Sequence, residues 1–175
     1  MLTAILLLLL ALNEASALRP SPPPRRPPSL SGLDLSTALP PDLPVTAAAL
    51  RFVPLVGVPS VVRRIPLHCQ VVLLLELDGG SRQAVVDFLP LSVSPETSRK
   101  VASLQEVPGL YRLKEVSADK LPSLDARPVR EGLRLGDLIT WVELRSASHP
   151  NLSLVRNQCW TFGWALLQFL HYGHD

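Results

Sequence analysis

The stretch "IPLHCQVVLLLELDGGSRQAVVDFLPL", residues 65–91, constrains the fold more than any other part of the chain. Valine, leucine and isoleucine are dense in it, and "DGG" at 78–80 separates two apolar runs with a turn signal, so it reads as a β-hairpin. On the first run His68, Gln70, Val72, Leu74 and Glu76 share one face, while Cys69, Val71, Leu73, Leu75 and Leu77 share the other. Apolar residues on both faces mark a central strand, covered on both sides.

Around this hairpin the pattern is looser. Residues 46–62 are apolar but broken by Arg51, Pro54, Gly57 and Pro59, which excludes a continuous membrane helix and predicts a short helix or strand leading into the domain. "PETSRKVASLQEV" predicts a helix from about Ser94 to Val107, with Pro95 in its first turn. "GLYRLKEV" (109–116) and "LITWVELR" (138–145) read as strands, 117–137 as a long loop, and "SASHPN" as a turn. The last element is helical. Asn157 is a good N-cap, which puts Gln158 and Cys159 at the first two helical positions. Cys159, Phe162, Gly163, Leu166 and Leu170 form one stripe, and Trp160, Trp164 and Leu167 make much of the remaining surface apolar, so the helix is expected to be largely enclosed. The expected class is α+β, an antiparallel sheet packed on an apolar C-terminal helix.

The first 45 residues cannot belong to that core. "MLTAILLLLLALNEASA" (1–17) reads as a secretory signal peptide, with an apolar run too short to span a bilayer comfortably and a small-x-small cleavage pattern ending at Ala17. Residues 18–45 hold nine of the 18 prolines, with Arg and Ser and no acid before Asp34, and read as an extended linker or transit-like segment. That leaves 46–175 as a single α+β domain and no permanent transmembrane segment. With 17 Lys+Arg against 15 Asp+Glu the chain has no basic footprint for nucleic acid.

Chemistry concentrates on Cys159. A cysteine in the first turn of a helix sits against unpaired backbone N–H groups and the positive end of the helix dipole, and both favour thiolate over thiol. The same N–H groups can stabilise an oxyanion on an attacked carbonyl. An imidazole is still needed to move the proton. Of the four histidines, His68 at the start of the central strand is the best supplier. His171 and His174 lie at the far end of the helix, about 18 Å away at 1.5 Å per residue, and His149 lies in a turn before Pro150. The bland readings stand beside these: a buried packing cysteine, a hydrogen-bonded strand-end histidine.

"HCQVVLLL" (68–75) followed much later by "NQCWTF" (157–162) resembles the circularly permuted papain-like superfamily. Its lecithin:retinol acyltransferase-like, PPPDE and permuted NlpC-type members pair a strand histidine with an "N-C-x-x-F" helix start. Here Gln158 stands between Asn157 and Cys159. The resemblance implies a cofactor-independent thiol hydrolase or acyltransferase with Cys159 as nucleophile and His68 as general base. It also implies a third polar group that orients the imidazole, for which Asp87 in "VVDFLP" is the best candidate. The substrate implied is an amide, ester or isopeptide, on a small molecule, lipid or peptide. A degenerate, non-catalytic binding protein of the same fold is the alternative, in the plastid or the secretory pathway. The presequence resembles the two-part plastid-targeting sequences of algae with complex plastids, which usually carry Phe where this chain has Leu18; simple secretion is the other destination.

Cys69 follows His68 directly. Strand alternation turns it to the opposite face, so if His68 faces Cys159, Cys69 is expected to be out of reach. A Cys69–Cys159 disulfide would end the catalytic reading. "HYGHD" (171–175) has no zinc-site spacing with either cysteine, so no metal is assigned. No Walker-type, dinucleotide or G-x-S-x-G motif is present, and no cofactor is implied. "NLS" at 151–153 fits the N-glycosylation pattern.

Overall fold

In chain order the strands are β1 (Leu33–Asp34), β2 (Val45–Val53), β3 (His68–Leu77), β4 (Gly80–Pro90), β5 (Val107–Val116), β6 (Arg127–Pro128) and β7 (Asn151–Leu152). The helices are α1 (Pro95–Ala102), α2 (Leu135–Ser148) and α3 (Cys159–Tyr172). This computed structural model describes residues 32–35, 38–54, 68–77, 80–92, 94–117 and 125–173. The expected signal peptide, most of the proline-rich segment, Asp78 and Gly79 of the turn, and His174 lie outside them.

The fold is α+β: a seven-stranded sheet in the order β1-β5-β4-β3-β2-β6, with β7 also pairing β5. All pairings are antiparallel except β1 with β5. The hairpin is β3 and β4, closed at Leu77↔Gly80, and β3 is central as its two apolar faces require. The outer edge of β5 is covered first by β7, at Val107 and Pro108, and then by β1, at Tyr111 and Arg112. Part of the proline-rich segment thus joins the sheet, and Leu43 enters the core.

Residues in register share a face, so Leu50, Val71, Val86 and Leu113 form one row across β2 to β5. On this side lies the main core, where Phe88, Tyr111 and Leu73 meet Leu138, Trp141 and Val142 of α2 and Phe162, Leu166 and Leu170 of α3. Among the described residues no helix is long and apolar enough to cross a membrane.

Three local expectations are corrected. "LITWVELR" is not a strand but the middle of α2. Leu135, Leu138, Trp141 and Val142 are its buried residues, at helical spacing, and Asp137 accepts the Arg134 backbone N–H at 2.9 Å at its start. Its β-branched residues gave the strand signal, and core packing overrides that propensity. The helix also runs through Ser148, into the expected turn. The long loop of 117–137 is interrupted by β6, which pairs with Ala47 and Ala48, and ends in α2. Finally, α3 is not enclosed. It buries Phe162, Gly163, Leu166 and Leu170, but Trp164 is 61% exposed and Trp160 44%.

The approach of α3 to the sheet is set by Gly163. A Cβ there would stand 2.7 Å from Cys69 Sγ and 3.2 Å from Leu50 Cδ2. Gly163→Ala is therefore expected to lower the urea midpoint, with a cost of about 1–3 kcal/mol from overpacking that exceeds the gain in helix propensity. Cys69→Ala in the same chain should recover much of it. A neutral Gly163→Ala would mean that the helix is free to shift.

Candidate active site

The contact of Gly163 with Cys69 fixes how the helix lies. Cys159 is one turn earlier on the same stripe, so the start of α3 lies beside the start of β3, where His68 is the first residue. Phe52, in register with Cys69, meets Trp160 with ring centroids 5.0 Å apart and completes this corner.

Cys159 is the first residue of α3, and Gln158, not Asn157, is the N-cap. The Gln158 N–H donates to Thr161 Oγ1 at 3.0 Å. Asn157 is not the cap: its side chain is turned inward, where Nδ2 donates to Asn151 O at 2.9 Å and to His149 O at 3.2 Å. Backbone bonds in both directions with Ser153 hold it there. The residue that looked like a cap is the brace of the loop before the helix.

On the sheet, Gln70, Asp87 and Arg112 stand in register across β3, β4 and β5, on the side away from the main core. Asp87 is 1% exposed. Its Oδ1 accepts from Arg112 Nε at 2.9 Å, and its Oδ2 accepts from an Arg112 terminal nitrogen at 2.7 Å and from Gln70 Nε2 at 2.9 Å. His68 Nε2 stands 3.2 Å from the same Oδ2. Burial alone would push this carboxyl up, but the hydrogen bonds from His68 and Arg112, with their charges, hold it down at about 2. A two-pronged guanidinium suits a carboxylate that cannot reach water.

The His68 imidazole, 4% exposed, has two partners: Asp87 and, by a side-chain hydrogen bond, Cys159. Burial works against its cationic form, yet the bonds to Asp87 and Cys159 outweigh it and raise the pKa to about 9. The three residues singled out from the sequence are thus brought together.

Cys69 corrects an expectation. Alternation does put it on the face opposite His68 and Gln70, but that is the face on which α3 packs. It is not remote from Cys159: burial first, and the negative charge of Cys159 second, push the Cys69 thiol up to about 12. Neither cysteine is in a disulfide; Cys69 is buried and Cys159 half-buried. His68 meets Cys159 from the other face because it stands at the very end of the strand, level with the helix start.

Arg112 and Gln70 were not anticipated. Gln70 lies two residues along from His68, so alternation marked it as a neighbour of the imidazole. Arg112 carried no such mark, since its place beside Asp87 depends on the β4–β5 register. His149 stands at the C-cap of α2 and His171 in the last turn of α3, neither at this site. Among the described residues no group of three or more His, Cys, Asp or Glu side chains is arranged to hold a metal ion.

The fold and corner define an α+β protein with a buried carboxylate and imidazole beside a half-buried thiol at a helix start. Compared with family models, with curated proteins and with solved structures, the chain matches none.

Proposed function

We propose that the chain is a cysteine-dependent hydrolase or acyltransferase with a permuted papain-like fold, acting on an amide, ester or isopeptide through an acyl-enzyme on Cys159. One observation carries this reading: a single imidazole, His68, is hydrogen-bonded both to a buried, ionised Asp87 and to Cys159. Chain order, with the strand histidine first and the helix cysteine last, agrees with the superfamily that the two motifs resemble. The presequence gives such a protein a plastid destination by way of the secretory pathway.

The sulfur, as thiolate beside an imidazolium, attacks the substrate carbonyl carbon and forms the S–C bond. Negative charge passes to the carbonyl oxygen, against the positive end of α3. As the intermediate collapses, the C–N or C–O bond breaks and His68 gives its proton to the leaving amine or alcohol. Water, or an acceptor alcohol or amine, then attacks the thioester while His68 takes back a proton, and the free thiolate is restored. Asp87 keeps the imidazole oriented throughout and favours its charged form, and Arg112 and Gln70 keep Asp87 in place.

Iodoacetamide tests the reading without knowledge of the substrate. At pH 7, Cys159 of the wild type is expected to alkylate at least about tenfold faster than Cys159 of His68→Ala, because the imidazolium that favours the anionic sulfur is gone. Peptide mass mapping separates this from Cys69, which burial should leave unlabelled in the folded protein. Equal rates in the two proteins would leave a packing cysteine and a binding protein, and would overturn the enzyme.

A further inference from the structure

The sequence "NLS" at 151–153 is not used by the thiol chemistry, and the fold gives it an unusual form. Asn151 is exposed, on the short outer strand β7, while its neighbour Leu152 points into the core. The backbone of Asn151 is tied down: its carbonyl accepts from Asn157 Nδ2 at 2.9 Å. Among the described residues its side-chain nitrogen is held only by Glu106 Oε2, at 3.5 Å, the outer limit of a hydrogen bond. A group attached to Nδ2 would thus stand in solvent and leave the brace before α3 intact.

Ser153 behaves in the opposite way. It is 3% exposed, and its hydroxyl accepts the backbone N–H groups of Val155 at 3.3 Å and Arg156 at 3.4 Å. The hydroxyl that completes the acceptor pattern is consumed by the turn leading to Cys159. In the folded protein the pattern is therefore half hidden, and in the unfolded chain it is open.

We infer that Asn151 carries an N-linked glycan, and that it is attached while the chain enters the secretory pathway, before the 153–157 turn closes. The donor is a polyisoprenyl-diphosphate-linked oligosaccharide. Asn151 Nδ2 attacks the anomeric carbon of its first sugar, the N–C bond forms, the C–O bond to the diphosphate breaks, and the amide proton leaves with the polyisoprenyl diphosphate. The glycan covers the sheet edge at β7, where an open strand would otherwise invite pairing with another chain. This modification is independent of the thiol reading and needs only passage through the secretory route that the presequence implies.

The test is translation of residues 18–175 behind an established cleavable signal peptide, with and without endoplasmic-reticulum microsomes. With microsomes present during synthesis, the protease-protected wild type should migrate slower by one glycan, and peptide-N-glycosidase should remove the shift. Ser153→Thr, which keeps both hydroxyl and pattern, should shift in the same way, and Asn151→Gln should not. Folded wild type added to detergent-opened microsomes should stay unmodified. A protected wild-type chain with no shift, or a shift that persists in Asn151→Gln, overturns the site. Modification of the folded chain overturns the timing.

Discussion

Replacing Arg112 with leucine is expected to destabilise the protein by about 3 kcal/mol. This is the low end of the cost of breaking a buried ion pair, because Arg112 is partly exposed and His68 still faces the carboxylate. The guanidinium makes both bonds that close around the Asp87 carboxylate, and the Asp87 side chain has no exposed surface through which water could substitute. Gln70 and His68 remain, but one neutral amide and one imidazole cannot satisfy both oxygens. In urea titrations the midpoint of Arg112→Leu should fall steeply, and adding Asp87→Asn should recover part of the loss by removing the charge itself. The partly exposed Arg82–Glu115 pair, bridging the same two strands, is the internal control. Breaking it should cost no more than about 1 kcal/mol. Equal costs at the two sites would mean that Asp87 is not held as an ion.

The second large effect is a stability plateau with two limbs. His68 has its folded pKa raised from 6.5 to about 9, so its contribution is fully present below 6.5 and is lost as pH rises through about 9. Asp87 is lowered from 3.8 to about 2, so its contribution is present above 3.8 and is lost as pH falls through about 2. Unfolding free energy should therefore be highest between these windows and fall on both sides, by on the order of 3 kcal/mol on the alkaline limb and 2 kcal/mol on the acid limb. His68→Gln should flatten the alkaline limb while leaving most of the acid one, because Arg112 still holds Asp87. A wild-type alkaline limb no steeper than that of His68→Gln would show that the imidazole gains nothing from its partners.

Much of this corner was legible because it follows from period-two alternation and from helix starts. The central strand, its hairpin partner and the terminal helix were all written in local patterns, and with them His68 and Cys159. Asp87 came only from the family resemblance, since its register against His68 is not stated in the sequence. What escaped was everything set by register or by competition. Arg112 reaches Asp87 only because β5 pairs with β4 in one particular alignment, and nothing in "YRLKEV" states that alignment. Asn157 has good capping chemistry, but backbone carbonyls of His149 and Asn151 bind its Nδ2 and hold the side chain inward. The middle of α2 combines β-branched residues with helical spacing of its buried ones, and the core decides in favour of the spacing. Cys69 shows the same limit at the level of faces: alternation told which residues share a side, not which side the last helix would choose.

The order of the relay along the chain has a consequence for its biogenesis. Asp87, Arg112, Gln70 and His68 belong to strands that are neighbours in both sequence and space, so they can assemble as soon as residue 116 is available. The sulfur arrives more than forty residues later, at the start of α3. Until α3 docks, Cys159 has no imidazole beside it, and the protein is a charged sheet corner waiting for its thiol. Docking of α3 is thus the step that brings the thiol and the imidazole together.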